Sequence, residues 1–130
     1  MSIGEEQWQK GLEVFDKGYG PGSSEMTLPY RESSFNQEIV GNQFANLWAS
    51  DIFSMREKRL LVLGATAMLG RADLVEIQMN GALINEEFTD EELDFLPLFL
   101  LFYAGAGNTT TVFRGIEAAK ARRKERNAAK

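Results

Sequence analysis

A chain of 130 residues with 44% hydrophobic and 25% charged residues has the composition of a soluble globular protein, and we expect residues 1–130 to form one domain. The net charge of −5 argues against a nucleic-acid-binding surface. The absence of cysteine excludes thiol peroxidase chemistry, disulfides and thiolate metal sites, and the absence of histidine removes the commonest general base and metal ligand.

The N-terminal part of the chain predicts a helix followed by an irregular segment. Residues 3–17 carry apolar side chains at helical spacing, and a run of glycines with one proline ends the pattern from Gly18 onward. The start of the chain is polar and acidic, so it does not resemble a signal peptide. Residues 23–31 have no clear period, so we expect them to run extended, either as a tether or as a lid over a pocket.

A second helix is predicted over residues 35–49. Ser34 and Gln37 have the spacing of a capping box, which satisfies backbone N–H groups at a helix start. The apolar residues behind it follow a helical period and should form its buried side. Residues 51–53 then make a short connection to the centre of the chain.

The central segment predicts two helices. Ser54 and Glu57 form another capping-box pattern, and residues 60–69 are apolar on nearly every helical face, so this helix should be buried all round. Residues 73–85 project two apolar faces, which predicts one packing partner within the subunit and one in a neighbouring subunit. The first face holds Ala72, Val75, Met79, Ala82 and Leu83, and the second holds Leu74, Ile77, Gly81 and Ile84.

Two narrow polar seams separate these apolar faces. Asp73, Glu76 and Asn80 occupy one seam, while Gln78 and Asn85 occupy the other. A polar side chain between two packed faces is either a satisfied hydrogen bonder of the core or part of a site. Both interpretations stay open for these residues.

The C-terminal part predicts two more helices. Thr89 and Glu92 give a capping box, so the acidic residues around them mark a helix start and not a metal site. Residues 93–103 are apolar all round and interrupted by Pro97, where we expect a bend. Asn108 should cap a last helix over residues 109–123. The basic residues of the tail, 120–130, should fray into solvent, with binding of an acidic partner as a lesser alternative.

Several short motifs recur in an order that resembles the carboxymuconolactone decarboxylase family over roughly residues 11–120. They are Gly11-Leu12-Glu13-Val14, Trp48, Arg56-Glu57-Lys58-Arg59-Leu60-Leu61-Val62-Leu63, Leu69-Gly70-Arg71, Gly81-Ala82-Leu83, Thr89-Asp90-Glu91-Glu92-Leu93 and Phe102-Tyr103-Ala104-Gly105. The resemblance implies an all-α, six-helix subunit that assembles into a homotrimer or homohexamer. It also implies cofactor-free lyase chemistry on small carboxylated lactones from aromatic breakdown.

The chain departs from this family pattern in four respects. By position, the family histidine falls on Gln78, and the Cys-x-x-Cys of the redox-active, alkylhydroperoxidase D-like branch is missing. Lys58 stands where the family commonly has arginine. One extra residue lies near Glu86 and Glu87, where the family often has glycine.

Decarboxylation of a lactone requires a cation for the carboxylate, donors for the developing enolate oxygen and a group that delivers a proton. We expect Gln78 to donate to the oxyanion, with Glu76 or Tyr103 transferring the proton, although Glu76 and Gln78 point about 200° apart on an ideal helix. The expected substrate-binding residues are Arg56, Lys58, Arg59 and Trp48, with Arg71 as a further possible cation.

Two functions therefore stay open. The first is a cytoplasmic, non-redox lyase, decarboxylase or related isomerase that acts on a small carboxylate substrate and uses no cofactor or metal. The second is a family member that has lost catalysis and serves as a binding or scaffold oligomer. A membrane partner is not expected, because the longest apolar run, residues 95–104, is too short to cross a bilayer.

Overall fold

The structure, a computed structural model, describes residues 3–130, and within that range the chain forms helices and turns without a strand. The all-α fold class is therefore confirmed. The chain divides into two compact units, Met1–Met55 and Arg56–Lys130. No helix in the described range has both the length and the apolar character that a membrane crossing needs.

Two packed helical layers form the first unit. Helix α1 spans Glu5–Tyr19, and the second layer begins as α2, Ser34–Glu38, and continues as a π-helical segment, Ile39–Trp48. The layers approach so closely that a Cβ on Gly11 would lie 1.9 Å from the backbone oxygen of Val40. Four aromatic rings fill the other end of this contact, namely Phe15, Tyr19, Phe44 and Trp48.

The extended conformation predicted for residues 23–31 is wrong, because Ser23–Tyr30 winds into a 3-10 helix. Its bonds are local: the Asp16 carboxylate accepts from the backbone N–H of Ser24 at 2.8 Å, and the Thr27 hydroxyl donates to the Ser24 carbonyl at 2.7 Å. Short polar side chains of this kind stabilise a tight turn without any apolar period. The sequence pattern therefore gave no sign of the helix.

The capping box predicted at Ser34 is also wrong, by one residue. Ser33 is the N-cap, and its hydroxyl accepts from the backbone N–H of Asn36. The Gln37 side chain instead donates to the carbonyl of Arg31 at 3.1 Å and accepts from the N–H of Ile3 at 3.2 Å. Because Ser33 and Ser34 are adjacent, the sequence alone did not show which of them is the N-cap. The bonds of the buried Gln37 side chain to Ile3 and Arg31 favour a helix that starts after Ser33.

Four helices form the second unit: α3 (Met55–Met68), α4 (Ala72–Ile84), α5 (Asp90–Ala104) and α6 (Ala106–Ala128). Helices α4 and α5 both pack against α6. At the α4–α6 contact, a Cβ on Gly115 would lie 2.5 Å from the Val75 side chain, so glycine permits the close approach. The predicted first face of α4 lines the core from Val75 to Leu83, as expected.

Burial of α3 on all sides, by contrast, is wrong for the chain by itself. Leu63 and Ala67 are buried, but Leu61, Met68 and Leu69 are each more than half exposed. On the second face of α4, Ile77 is exposed, Leu74 and Ile84 are half-buried and Gly81 is buried. Several apolar side chains on these faces are therefore only partly covered within the chain.

The last helix starts earlier and ends later than predicted. Gly105 precedes it, and Asn108 does not cap it, because the Asn108 side chain donates to the carbonyl of Ala104 at the end of α5. The basic tail is helical to Ala128. Its arginines contact the polar seam of α4 and the start of α5 through three pairs: Arg122–Glu76, Arg126–Asn80 and Arg123–Asp90. This seam is therefore the part of α4 against which α6 packs. The prediction that the tail frays into solvent is wrong.

Candidate functional site

A buried arginine joins α3, α4 and the α4–α5 connection. Arg59 has no exposed surface, although it lies in the second turn of α3. Its Nε and Nη2 donate to the two carboxylate oxygens of Glu87 at 3.1 and 3.0 Å, and its Nη1 donates to Oε1 of Gln78 at 2.9 Å. These three side chains, Arg59, Gln78 and Glu87, form what we call the arginine cluster.

The turn after α4 directs Glu87 into this cluster. Glu86 adopts a left-handed backbone conformation, with φ of 54°, which costs a residue with a Cβ about 1–2 kcal/mol. The backbone N–H of Glu87 then returns to the carbonyl of Ala82 at 2.9 Å, and the Asn85 side chain donates to the Glu87 carboxylate at 3.1 Å. A strained turn is retained where surrounding contacts hold it, and strain of this kind concentrates at functional sites.

A second arginine, Arg56, links the α4–α5 connection to the first turn of α5. Its Nη1 donates to the backbone oxygen of Glu87 at 2.7 Å and to Glu92 at 3.0 Å, while Nη2 donates to the other Glu92 oxygen at 2.5 Å. The guanidinium also lies 4.7 Å from the centre of the Phe88 ring. Glu92 completes the predicted capping box with Thr89, which is confirmed.

The Arg56 hydrogen bond, with help from the Thr89 backbone N–H, lowers the pKa of Glu92 from 4.5 to about 2. Stabilisation by this carboxylate is therefore fully present above pH 4.5 and is lost as the pH falls toward 2. We expect Glu92→Gln to make the free energy of unfolding depend less on pH in this window, which we call the acid limb. Urea unfolding at a series of pH values measures this dependence. Glu91→Gln, one residue away in the same helical turn, should keep the wild-type acid limb.

The arginine cluster has parts that suit chemistry on a carboxylated molecule. A guanidinium binds a carboxylate through two parallel hydrogen bonds, and an amide can orient the guanidinium or donate to an oxyanion. A carboxyl group beside them can exchange a proton. Because Arg59 is shielded from water, its electrostatic interactions are stronger than they would be at the surface.

Of the residues predicted for the site, Arg59 and Gln78 are hydrogen-bonded to each other, and Arg56 lies beside them through its bond to the Glu87 backbone. Glu76 lies on another side of α4, where its carboxylate accepts from Arg122 of α6 at 3.3 Å. This separation agrees with the angle expected from the helical projection. Glu76 is thus paired in the α4–α6 contact, away from Gln78.

The other predicted residues of the second unit are at least partly exposed. Tyr103 is 78% exposed at the end of α5, and Lys58 is partly exposed on α3. Arg71 forms an exposed bidentate pair with Asp73 at 2.6 and 2.9 Å. Trp48 is buried within the aromatic core of the first unit.

Glu87 is the residue that sequence reasoning did not select. It follows α4, so a projection that covers only the helix leaves it out. One signal lay near this position, because the resemblance described in the sequence analysis implied an extra residue near Glu86 and Glu87. In the described range, no group of three or more acidic side chains is arranged to hold a metal ion.

Comparison with known proteins adds no relative. No family model matches the chain, and neither the curated proteins nor the solved structures contain a match.

Proposed function

We propose that the chain is a cofactor-free lyase, a decarboxylase or a related isomerase of the carboxymuconolactone decarboxylase-like type, acting on a small carboxylated lactone or a similar intermediate of aromatic breakdown. The arginine cluster is the observation that carries this proposal. It combines a cation, an amide and a carboxyl group in a water-excluded place, as chemistry on a carboxylated substrate requires.

In the proposed reaction, the bond between the ring and the carboxylate carbon breaks and its electron pair enters the lactone as an enolate. Carbon dioxide leaves, and the enolate carbon takes a proton. Arg59 holds the negative charge of the substrate, and Gln78 fixes the guanidinium plane through its 2.9 Å hydrogen bond. Glu87 takes up a proton from water and delivers it to the enolate carbon, in the role that the sequence had suggested for Glu76 or Tyr103.

The experiment for this function is a thermal-shift screen of small carboxylated lactones and aromatic-derived carboxylic acids. A ligand that binds only the folded protein raises its melting temperature by mass action. Compounds that do so are then incubated with the protein and followed by NMR for loss of the lactone and release of carbon dioxide. A set in which no compound binds or reacts would contradict the enzyme proposal.

A non-catalytic role as a scaffold is the second candidate, and one observation favours it. Every Arg59 nitrogen described above already donates to a side chain of the same chain, as in a structural ion pair. Under this alternative the cluster only fixes the α4–α5 connection. Screening of the lactones decides between the two.

Self-assembly is part of both proposals. Helix α5 presents an apolar face formed by Phe95, Leu98, Phe99, Phe102 and Tyr103, each at least 55% exposed. With about 150–250 Å² for each aromatic residue, this face offers roughly 500–700 Å², close to the roughly 800 Å² that each partner contributes to a standard interface. Residues 95–113 carry no charge, so a second copy of the same face is a suitable partner.

Replacing Phe102 tests this assembly. Its ring is 85% exposed, so we expect Phe102→Ser to leave the fold intact and to lower the molecular mass in sedimentation equilibrium by dissociating the oligomer. Phe35→Ser makes the same change at an exposed phenylalanine of the first unit and should leave the mass unchanged. A wild-type protein that sediments as a monomer would overturn the proposed assembly.

A further inference from the structure

We infer that the Glu87 carboxylate occupies the position on Arg59 that the carboxylate of a ligand takes, so that Glu87 has to leave before the ligand binds. The inference rests on the proposed function for the class of ligand, a small organic carboxylate. It adds a regulatory step to that site, an internal competitor for the substrate-binding cation.

The geometry of the pair supports this competition. Glu87 meets Arg59 through two parallel hydrogen bonds of 3.1 and 3.0 Å, one from Nε and one from Nη2. A free carboxylate binds arginine through the same fork. Gln78 accepts from the remaining terminal nitrogen, Nη1, at 2.9 Å, and can keep the guanidinium oriented when the carboxylate is exchanged.

The position of Glu87 in the chain allows it to move while its partners stay. Arg59 and Gln78 lie inside helices, whereas Glu87 lies on the connection between α4 and α5. Its backbone is held at both ends, by the bonds to Ala82 and Arg56 described above. Displacement is therefore a rotation of the side chain alone.

Asn85 gives the displaced carboxylate a place to go. Its side chain is exposed at the edge of the cluster and already donates to Oε2 of Glu87 at 3.1 Å. When the Glu87 side chain rotates toward Asn85, it exchanges a fully buried cationic partner, Arg59, for a neutral partner near solvent. There the carboxylate can take up a proton from water, and it remains close enough to the ligand to pass that proton to the enolate carbon.

This arrangement predicts opposite effects when Glu87 is replaced. Binding of a carboxylate should become tighter, because the competitor is gone, while turnover should fall, because the proton carrier is gone. An ion pair that serves only the fold would give no saturable carboxylate binding in the wild-type protein. The wild-type measurement therefore distinguishes a ligand site from a purely structural pair.

The test uses isothermal titration calorimetry with sodium acetate and sodium benzoate, with sodium chloride at equal ionic strength as the blank. Wild-type protein should bind the carboxylates weakly and saturably. Glu87→Gln and Glu87→Ala should bind them about tenfold more tightly, as expected when one bidentate arginine becomes available. Glu87→Gln keeps the shape of the side chain, so it decides the question if Glu87→Ala does not fold.

The exposed pair of Arg71 and Asp73 is the matched control, because it has the same bidentate form outside the cluster. Asp73→Asn should bind acetate as the wild-type protein does, because an arginine that is exposed to water gains little from pairing with one carboxylate. Equal affinities in wild type and Glu87→Gln, or no binding in either, would overturn the inference. Tighter binding without turnover of any lactone would instead retain it and contradict only the proposed function.

Discussion

Replacing Arg59 with methionine is expected to lower the free energy of unfolding by about 1–3 kcal/mol, because the Glu87 carboxylate and the buried Gln78 side chain both lose their hydrogen bonds to the guanidinium. Rotation of Glu87 toward Asn85 offsets part of the loss, so the cost stays below that of a buried charge that cannot move. Urea unfolding of the variant and the wild type measures the loss. Arg71→Met removes an exposed arginine of similar pairing and should leave the free energy of unfolding close to that of the wild type.

The double replacement Arg59→Met with Glu87→Leu provides the internal check on this prediction. Apolar residues of similar size often replace a buried ion pair at little or no cost to stability, because neither charge then needs to be desolvated. We therefore expect the double variant to lie close to the wild type and well above either single variant. Single-variant losses that simply add up in the double variant would show that the two side chains are not coupled.

A methyl group on Gly11 is expected to produce the second large effect. A Cβ there would lie 1.9 Å from the backbone oxygen of Val40, and only a shift of one helix against the other could relieve the overlap. Overpacking of this kind costs about 1–3 kcal/mol and can cost more when backbone is involved. Thermal unfolding of Gly11→Ala should show the loss as a lower melting temperature.

Gly64→Ala is the control with the opposite expected sign. Gly64 lies inside α3, and a Cβ there would have nothing within 4 Å. Alanine is favoured over glycine in the interior of a helix by about 0.5–1 kcal/mol. A gain in stability for Gly64→Ala together with a loss for Gly11→Ala would separate helix propensity from packing, whereas equal effects would contradict the close α1 contact.

Local signals predicted the α-helices and much of the core, though not the 3-10 helix Ser23–Tyr30, since an apolar period and a capping residue act within a few positions. The capping box of Thr89 and the buried face of α4 are examples. Local signals failed where the deciding partner is distant in the chain. Register at Ser33 depends on contacts of Gln37 with Ile3 and Arg31, and the helical tail depends on arginines that reach α4 and α5.

The site was predicted only in part for the same reason. Helical projection placed Gln78 in a narrow seam, and Arg59 was among the candidate cations, but nothing in the spacing of the chain joins them to Glu87. Glu87 reaches the cluster through a left-handed turn at Glu86, and a conformation of this kind is uncommon for a residue other than glycine. Glu76, which the sequence favoured, pairs with Arg122, a partner 46 positions away.

The most direct test of the central claim, that the arginine cluster performs chemistry, is the turnover of Glu87→Gln on a lactone that the wild-type protein converts. Loss of a proton-transferring group typically reduces the rate by about 10²–10⁴-fold, so we predict a fall in kcat of at least about 100-fold for Glu87→Gln and an unchanged kcat for Asp73→Asn. A folded Glu87→Gln variant that turns over the lactone at the wild-type rate would contradict the claim.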